Sequence, residues 1–212
     1  MNSFSPNMLK TFKECPKKYF YKYVQKISVP QKATPFEKGK KIHALANYYL
    51  RGDDISKFEK MLSQEELSAW DKLKNNEFFN KTYINSEYNL SCRIEDFWIG
   101  GRLDALVKDF ENYYILDYKT GSVPQDPKMD YQTMIYLLAV AKFLHIEKNL
   151  TFVYIDLKNN TNYKIEYSKD LESIYTNELT KTCHEILNEK TFKPNTLNCK
   201  FCEYNKLCNI IH

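Results

Sequence analysis

Glycine is scarce in this 212-residue chain, with only 5, and no segment is repetitive or of low complexity. With 43% apolar and 27% charged residues, a disordered chain is also excluded. No apolar run reaches the length of a membrane-spanning helix; the longest, around Met134 to Leu144, is broken by Lys142. Met1 to Phe20 is lysine-rich and has no apolar core of a secretory signal, which predicts a cytoplasmic protein. In that reducing setting the 6 cysteines are expected to bind metal or stay free rather than pair. No glycine-rich phosphate loop is present, so the chain has no ATP-driven motor of its own.

The aromatic content is high, with 17 Tyr and 13 Phe, enough for a sizeable core. The length suits one domain over residues 1–212. Net charge is +4 but uneven: residues 1–41 hold 10 Lys against 2 Glu, so they carry +8 while the remainder is slightly acidic. A basic arm on an acidic body suggests a polyanion partner, although charge alone favours a solvated lysine-rich helix face.

Ser5-Pro6 is a helix start, and Cys15-Pro16 interrupts the helical spacing of Leu9, Phe12, Tyr19 and Tyr23, predicting two short helices at a corner. Further helices are expected at about Phe36–Leu50 and Gln64–Phe79. Residues 83–90, 93–99, 101–108 and 112–119 then read as four strands. A helix at about 128–144, strands at 150–157 and 161–167, and a helix at 169–189 precede a cysteine-rich tail. This order predicts an α/β (α+β) fold with a central mixed sheet flanked by helices.

The most informative stretch is Gly100-Gly101-Arg102-Leu103-Asp104, followed by Asp117-Tyr118-Lys119-Thr120-Gly121. A hairpin symmetric about Phe110-Glu111 sets Asp104 across from Asp117, their Cβ atoms about 5 Å apart. Two carboxylates so placed repel unless a cation joins them, and hard oxygens select Mg²⁺ or Mn²⁺. Lys119 shares a face with Asp117 and would orient water or stabilise charge on a phosphate. The alternative is a surface ladder of ion pairs. Gln132 and Tyr136, four residues apart, face the same way on the following helix.

Taken in order, Gly39-x-x-x-His43, Gly101-Arg102-x-Asp104, Asp117-x-Lys119 and Gln132-x-x-x-Tyr136 resemble the motif series of RecB-like nucleases in the PD-(D/E)XK superfamily. The resemblance implies a restriction-endonuclease-like fold and a metal-dependent phosphodiesterase, an exonuclease on single-stranded DNA or DNA ends. His43, Asp104, Asp117 and the Tyr118 carbonyl would hold Mn²⁺ or Mg²⁺, with Lys119 assisting the attacking water and Gln132 and Tyr136 lining the site. Glu87 resembles an acidic position of the family but is not expected to be a ligand. Lys10, Lys13, Lys17, Lys18, Lys22 and Arg102 are the expected DNA contacts. Unwinding would fall to a helicase partner, and a CRISPR-adaptation partner fits the nearest families.

Cys199-x₂-Cys202-x₅-Cys208 has metal-ligand spacing. His212 would complete a Cys₃His zinc site in a non-catalytic nucleic-acid-binding module. Cys15 is the other candidate for fourth ligand. The iron–sulfur branch of the resembling family joins a Cys-Pro near the N-terminus to three C-terminal cysteines around a [4Fe–4S] cluster. By that resemblance Cys15, Cys199, Cys202 and Cys208 would staple residues 1–35 to 190–212. Cys92 and Cys183 are expected in the core.

Overall fold

The computed structural model describes residues 3–29 and 36–208. His212 and the stretch 30–35 therefore lie outside the described residues. A two-residue strand β1 (Ser3–Phe4) leads into α1 (Pro6–Glu14), where Ser5 caps the Met8 N–H and Pro6 opens the first turn. At Cys15 the backbone turns extended, and α2 (Pro16–Tyr19) starts on a new axis before running into one π turn, Phe20–Val24. Next come α3 (Phe36–Leu50), α4 (Ser56–Glu59) and α5 (Gln64–Lys74). A capping box opens α5: Ser63 and Glu66 each bond the other's backbone N–H. The third expected helix stops at Lys74, five residues early, because Asn75 and Asn80 side chains take carbonyls at its end.

The strands are β2 (Thr82–Ile94), β3 (Phe97–Asp109) and β4 (Asn112–Lys119), then α6 (Tyr131–Leu144), β5 (Leu150–Asp156), β6 (Thr161–Glu166) and α7 (Lys169–Asn188). Three long strands thus replace the four expected over 83–119. The turn lies at Glu95-Asp96, with Glu95 at φ 45°, while Gly100 and Gly101 sit inside β3. Their absent side chains serve close approach: a Cβ on Gly100 would stand 2.6 Å from the Ser91 Cβ, and one on Gly101 2.8 Å from the Tyr136 hydroxyl.

The sheet runs β1-β3-β4-β5-β6, with β2 also on β3. β1/β3 and β4/β5 are parallel and the other pairs antiparallel. Packed on one face are α1, α6 and α7, with Leu9, Met134, Phe152 and Leu179 in the core; α3 and α5 cover the other, with Ile42, Trp70, Leu116 and Val153. The site lies where the β3–β4 ladder ends, between these two layers. That ladder keeps the expected register through five pairs, Asp109↔Asn112 to Ala105↔Leu116, and stops one pair short of Asp104 and Asp117.

Candidate metal and phosphodiester site

Past Ala105 the strands part, and the Asp104 carboxylate replaces a backbone partner. Its Oδ2 accepts the Tyr118 N–H at 2.9 Å and its Oδ1 faces His43 Nδ1 at 3.1 Å. His43 reaches this point because α3 passes close to the end of β4. Gly39, one turn earlier, would have its Cβ 3.1 Å from the Thr120 hydroxyl, so a side chain there would push the helix away. The other ring nitrogen, Nε2, lies 2.9 Å from the Tyr118 carbonyl. Burial alone would lower the His43 pKa, but the Asp104 hydrogen bond and charge, helped by Asp117 and the Tyr118 carbonyl, overcome it and raise it to about 9.

Asp117 points to the α6 side of the sheet and is 2% exposed. Gln132, presented in the first turn of α6 by the Asp130 cap, donates from Nε2 to Asp117 Oδ1. Its Oε1 accepts from Lys119 Nζ at 3.3 Å. The Lys119 ammonium also pairs with the buried Asp117 Oδ2 at 2.7 Å. Burial, and then the neighbouring Asp104, lift the Asp117 pKa to about 6 against the pull of Lys119. Burial works to lower the Lys119 pKa, but Asp117 and Asp104 raise it, keeping the ammonium charged.

Glu87 is the residue that sequence reasoning undervalued. It lies opposite Asp104, between the register pairs Ser86↔Ala105 and Tyr88↔Leu103, with φ 48°. His43, Glu87 and Asp104 each offer a ligand atom within 4.8 Å of the others. Arg102 Nε holds Glu87 Oε2 at 2.8 Å. The hairpin arithmetic used for β3–β4, applied about Glu95-Asp96, pairs Glu87 with Asp104. Tyr136 is buried, and its hydroxyl donates to the Arg102 carbonyl at 2.8 Å, bracing the strand within reach of the Asp104 and Asp117 charges.

These donors fit a hard divalent cation: an imidazole, carboxylates and a backbone carbonyl gathered beside a buried aspartate. A cleft of about 490 Å³ adjoins them, lined by Lys10, Lys119, Ser122, Gln125, Asp130 and Gln132 among others. The expected basic contacts divide. Lys10 faces this cleft, 3.7 Å from Asp130, and Arg102 lies beside Glu87. Lys13 and Lys18 instead hold Glu185 and Glu203, while Lys17 and Lys22 lie over aromatic rings.

At the other pole, Cys15, Cys199, Cys202 and Cys208 line one pocket of about 250 Å³ with Tyr21 and Tyr204. Two backbone N–H groups, of Lys18 and Asn195, point at Cys15 Sγ at 3.4 Å each. Four thiols around one space, with amides directed at a sulfur, fit a metal cluster. Cys92 and Cys183 are buried, and burial raises both thiol pKa values, Cys92 to about 11 and Cys183 to about 12.

A mixed sheet ending in paired carboxylates and a lysine defines a class of phosphodiester enzyme folds. The profile of the PD-(D/E)XK nuclease superfamily matches residues 3–209, and the chain belongs to that superfamily. Among its relatives is the CRISPR-associated exonuclease Cas4 of Francisella tularensis subsp. novicida, 28% identical over 128 residues, 58% of this chain. The match spans 62% of that protein, about three-fifths of its length. The fold is also that of a proposed exonuclease from Eubacterium rectale, with TM-score 0.60 over all of this chain and 90% of that one, at 10% identity. No helix among the described residues is long and apolar enough to cross a membrane.

Proposed function

We propose that this chain is a metal-dependent DNA exonuclease acting on single strands or strand ends. The observation that carries it is the convergence of His43, Glu87 and Asp104, with the Tyr118 carbonyl on His43 and the Asp117–Lys119 pair near enough for its charges to act on His43 and Asp104, beside a cleft lined by Lys10 and Lys119. His43, Asp104, Asp117 and the Tyr118 carbonyl would hold Mn²⁺ or Mg²⁺, with Glu87 in reach. A cation there supplies Lewis-acid neutralisation of phosphate charge and acidifies water. Lys119, charged and 26% exposed, orients a water or a phosphate oxygen from the α6 side. Gln132 fixes both Lys119 and Asp117, and Tyr136 holds the strand that carries Asp104.

Lys10 and Arg102 are placed to meet phosphates. The shared pocket of Cys15 with the three tail cysteines supports a [4Fe–4S] cluster over a zinc site completed by His212. In this reading the chain is one cytoplasmic domain, and residues 1–35 and 190–212 form its cysteine pole. The Cas4 relative supports a CRISPR-adaptation setting, with duplex opening left to a helicase partner.

The test is degradation of end-labelled single-stranded DNA by anaerobically purified protein with Mn²⁺, wild type against Lys119→Ala. Cutting by wild type that disappears in the variant, at equal thermal stability, is the expected result. Binding of DNA without cutting by either protein overturns the enzyme reading in favour of a scaffold, and equal cutting by both overturns the site.

A further inference from the structure

We propose that Tyr154 on β5 is a positioning residue for this site: its ring carries Lys119, and its hydroxyl fixes Gln132 through Asp130. The kinetic part of the proposal rests on the nuclease reading above; the geometric part does not. The parallel β4/β5 register sets Tyr154 beside Asp117, and Tyr154 is 0% exposed. The Lys119 ammonium lies 5.5 Å from its ring centroid, within reach of the negative π face.

The Tyr154 hydroxyl is 3.3 Å from Asp130 Oδ1 and 2.9 Å from the Thr133 hydroxyl. A carboxylate only accepts, and the Thr133 hydroxyl gives its own proton to the Pro127 carbonyl at 2.8 Å, so the single Tyr154 proton is shared between Asp130 and Thr133. The same Asp130 oxygen takes the Gln132 N–H at 2.9 Å, which starts α6 and aims the Gln132 side chain. Gln132 in turn bonds Asp117 and Lys119. The contacts close a circuit: ring to Lys119, Lys119 to Gln132, Gln132 to Asp130, and Asp130 back to the Tyr154 hydroxyl. A tyrosine serving only as core would need the ring alone, as the neighbouring Phe152 does at 4.7 Å between centroids. Lys10, 3.7 Å from the other Asp130 oxygen, ties the circuit to the cleft wall.

Two readouts test this on the full chain. Hydrogen exchange by NMR should show the Gln132 backbone amide exchanging about tenfold faster in Tyr154→Phe, since its acceptor loses an orienting partner. Amides of Ile135 to Val140, deeper in α6, should keep their wild-type rates. In the Mn²⁺ assay on end-labelled single-stranded DNA, kcat should fall about tenfold in Tyr154→Phe and further in Tyr154→Leu, with KM within twofold. Phe then rescues part of what Leu loses, because it restores the ring.

Unchanged Gln132 exchange, or equal acceleration along the whole of α6, overturns the positioning role whatever the Leu variant does. If wild type fails to cut while the exchange pattern appears, the nuclease reading falls and the circuit stands.

Discussion

Gly101 gives the sharpest test of how the site is braced. Alanine at this position would place a Cβ 2.8 Å from the Tyr136 hydroxyl and 3.1 Å from its Cε1. The tyrosine must tilt away, and its 2.8 Å bond to the Arg102 carbonyl is lost. Overpacking a buried contact costs about 1–3 kcal/mol, and the broken hydrogen bond about 1 kcal/mol more. Against this, alanine restricts the unfolded chain by about 0.5–1 kcal/mol in its favour. The net loss is about 2 kcal/mol, a fall in Tm of about 4–8 °C for a chain of this size. Urea unfolding of Gly101→Ala, Tyr136→Phe and the double variant measures it. In the Tyr136→Phe background the nearest clashing atom is gone, so Gly101→Ala should cost about half as much. Gly100→Ala, which meets Ser91 backbone at 2.8 Å instead of a movable side chain, should cost more in either background. A Gly101→Ala protein as stable as its parent, or the same cost in both backgrounds, would refute the bracing argument.

Cys15→Ala should bleach a brown, anaerobically purified protein while His212→Ala keeps its colour; visible spectra decide, and a colourless wild type whose bound zinc is lost in His212→Ala but kept in Cys15→Ala places zinc in the tail alone. Lys10→Ala should weaken binding to a single-stranded oligonucleotide and flatten the salt slope by about 0.7. Lys13→Ala, whose ammonium already holds Glu185 at 2.6 Å, should leave that slope unchanged in a fluorescence titration. Glu66 accepts the Ser63 N–H and pairs with Lys41, which holds its pKa below the ordinary glutamate range. Its ionised form therefore stabilises the fold above that range and loses the effect as pH falls. Glu66→Gln should cost about 0.5 kcal/mol at pH 7, and thermal melts should show the gap closing as pH falls through and below the ordinary glutamate range.

Much of this architecture was legible because the signals were local. Pro6 and Pro16 bracket the first two helices, and the Phe110-Glu111 turn set a register that held through five pairs. The errors arose where a residue's reason lay elsewhere in the chain. Gly100 reads as the break between two strands, yet it and Gly101 are bare because Ser91 and Tyr136 press on them. The true turn uses Glu95 in a left-handed conformation, which carries little sequence signal. Misplacing that turn also hid Glu87 opposite Asp104. The lysine arm read as one DNA-facing surface, and net charge could not reveal that Lys13 and Lys18 are held by acids about 170 or more residues away.

The contacts that join the N-terminal helices to the cysteine-rich tail imply an order of assembly during synthesis. The candidate metal ligands and Lys119, Gln132, Tyr136 and Tyr154 all lie between residues 39 and 157, so this cluster is synthesised well before the tail. The cysteine pole must wait for the tail: Asn195 bonds Cys15 and Glu14 across 180 residues, and the Tyr204 hydroxyl bonds the Ile27 carbonyl across 177. Closing so wide a loop comes last and adds only slowly to the entropy cost as length grows. A nascent chain would thus carry its site residues before its clasp, and the clasp would decide how long a finished molecule resists proteases.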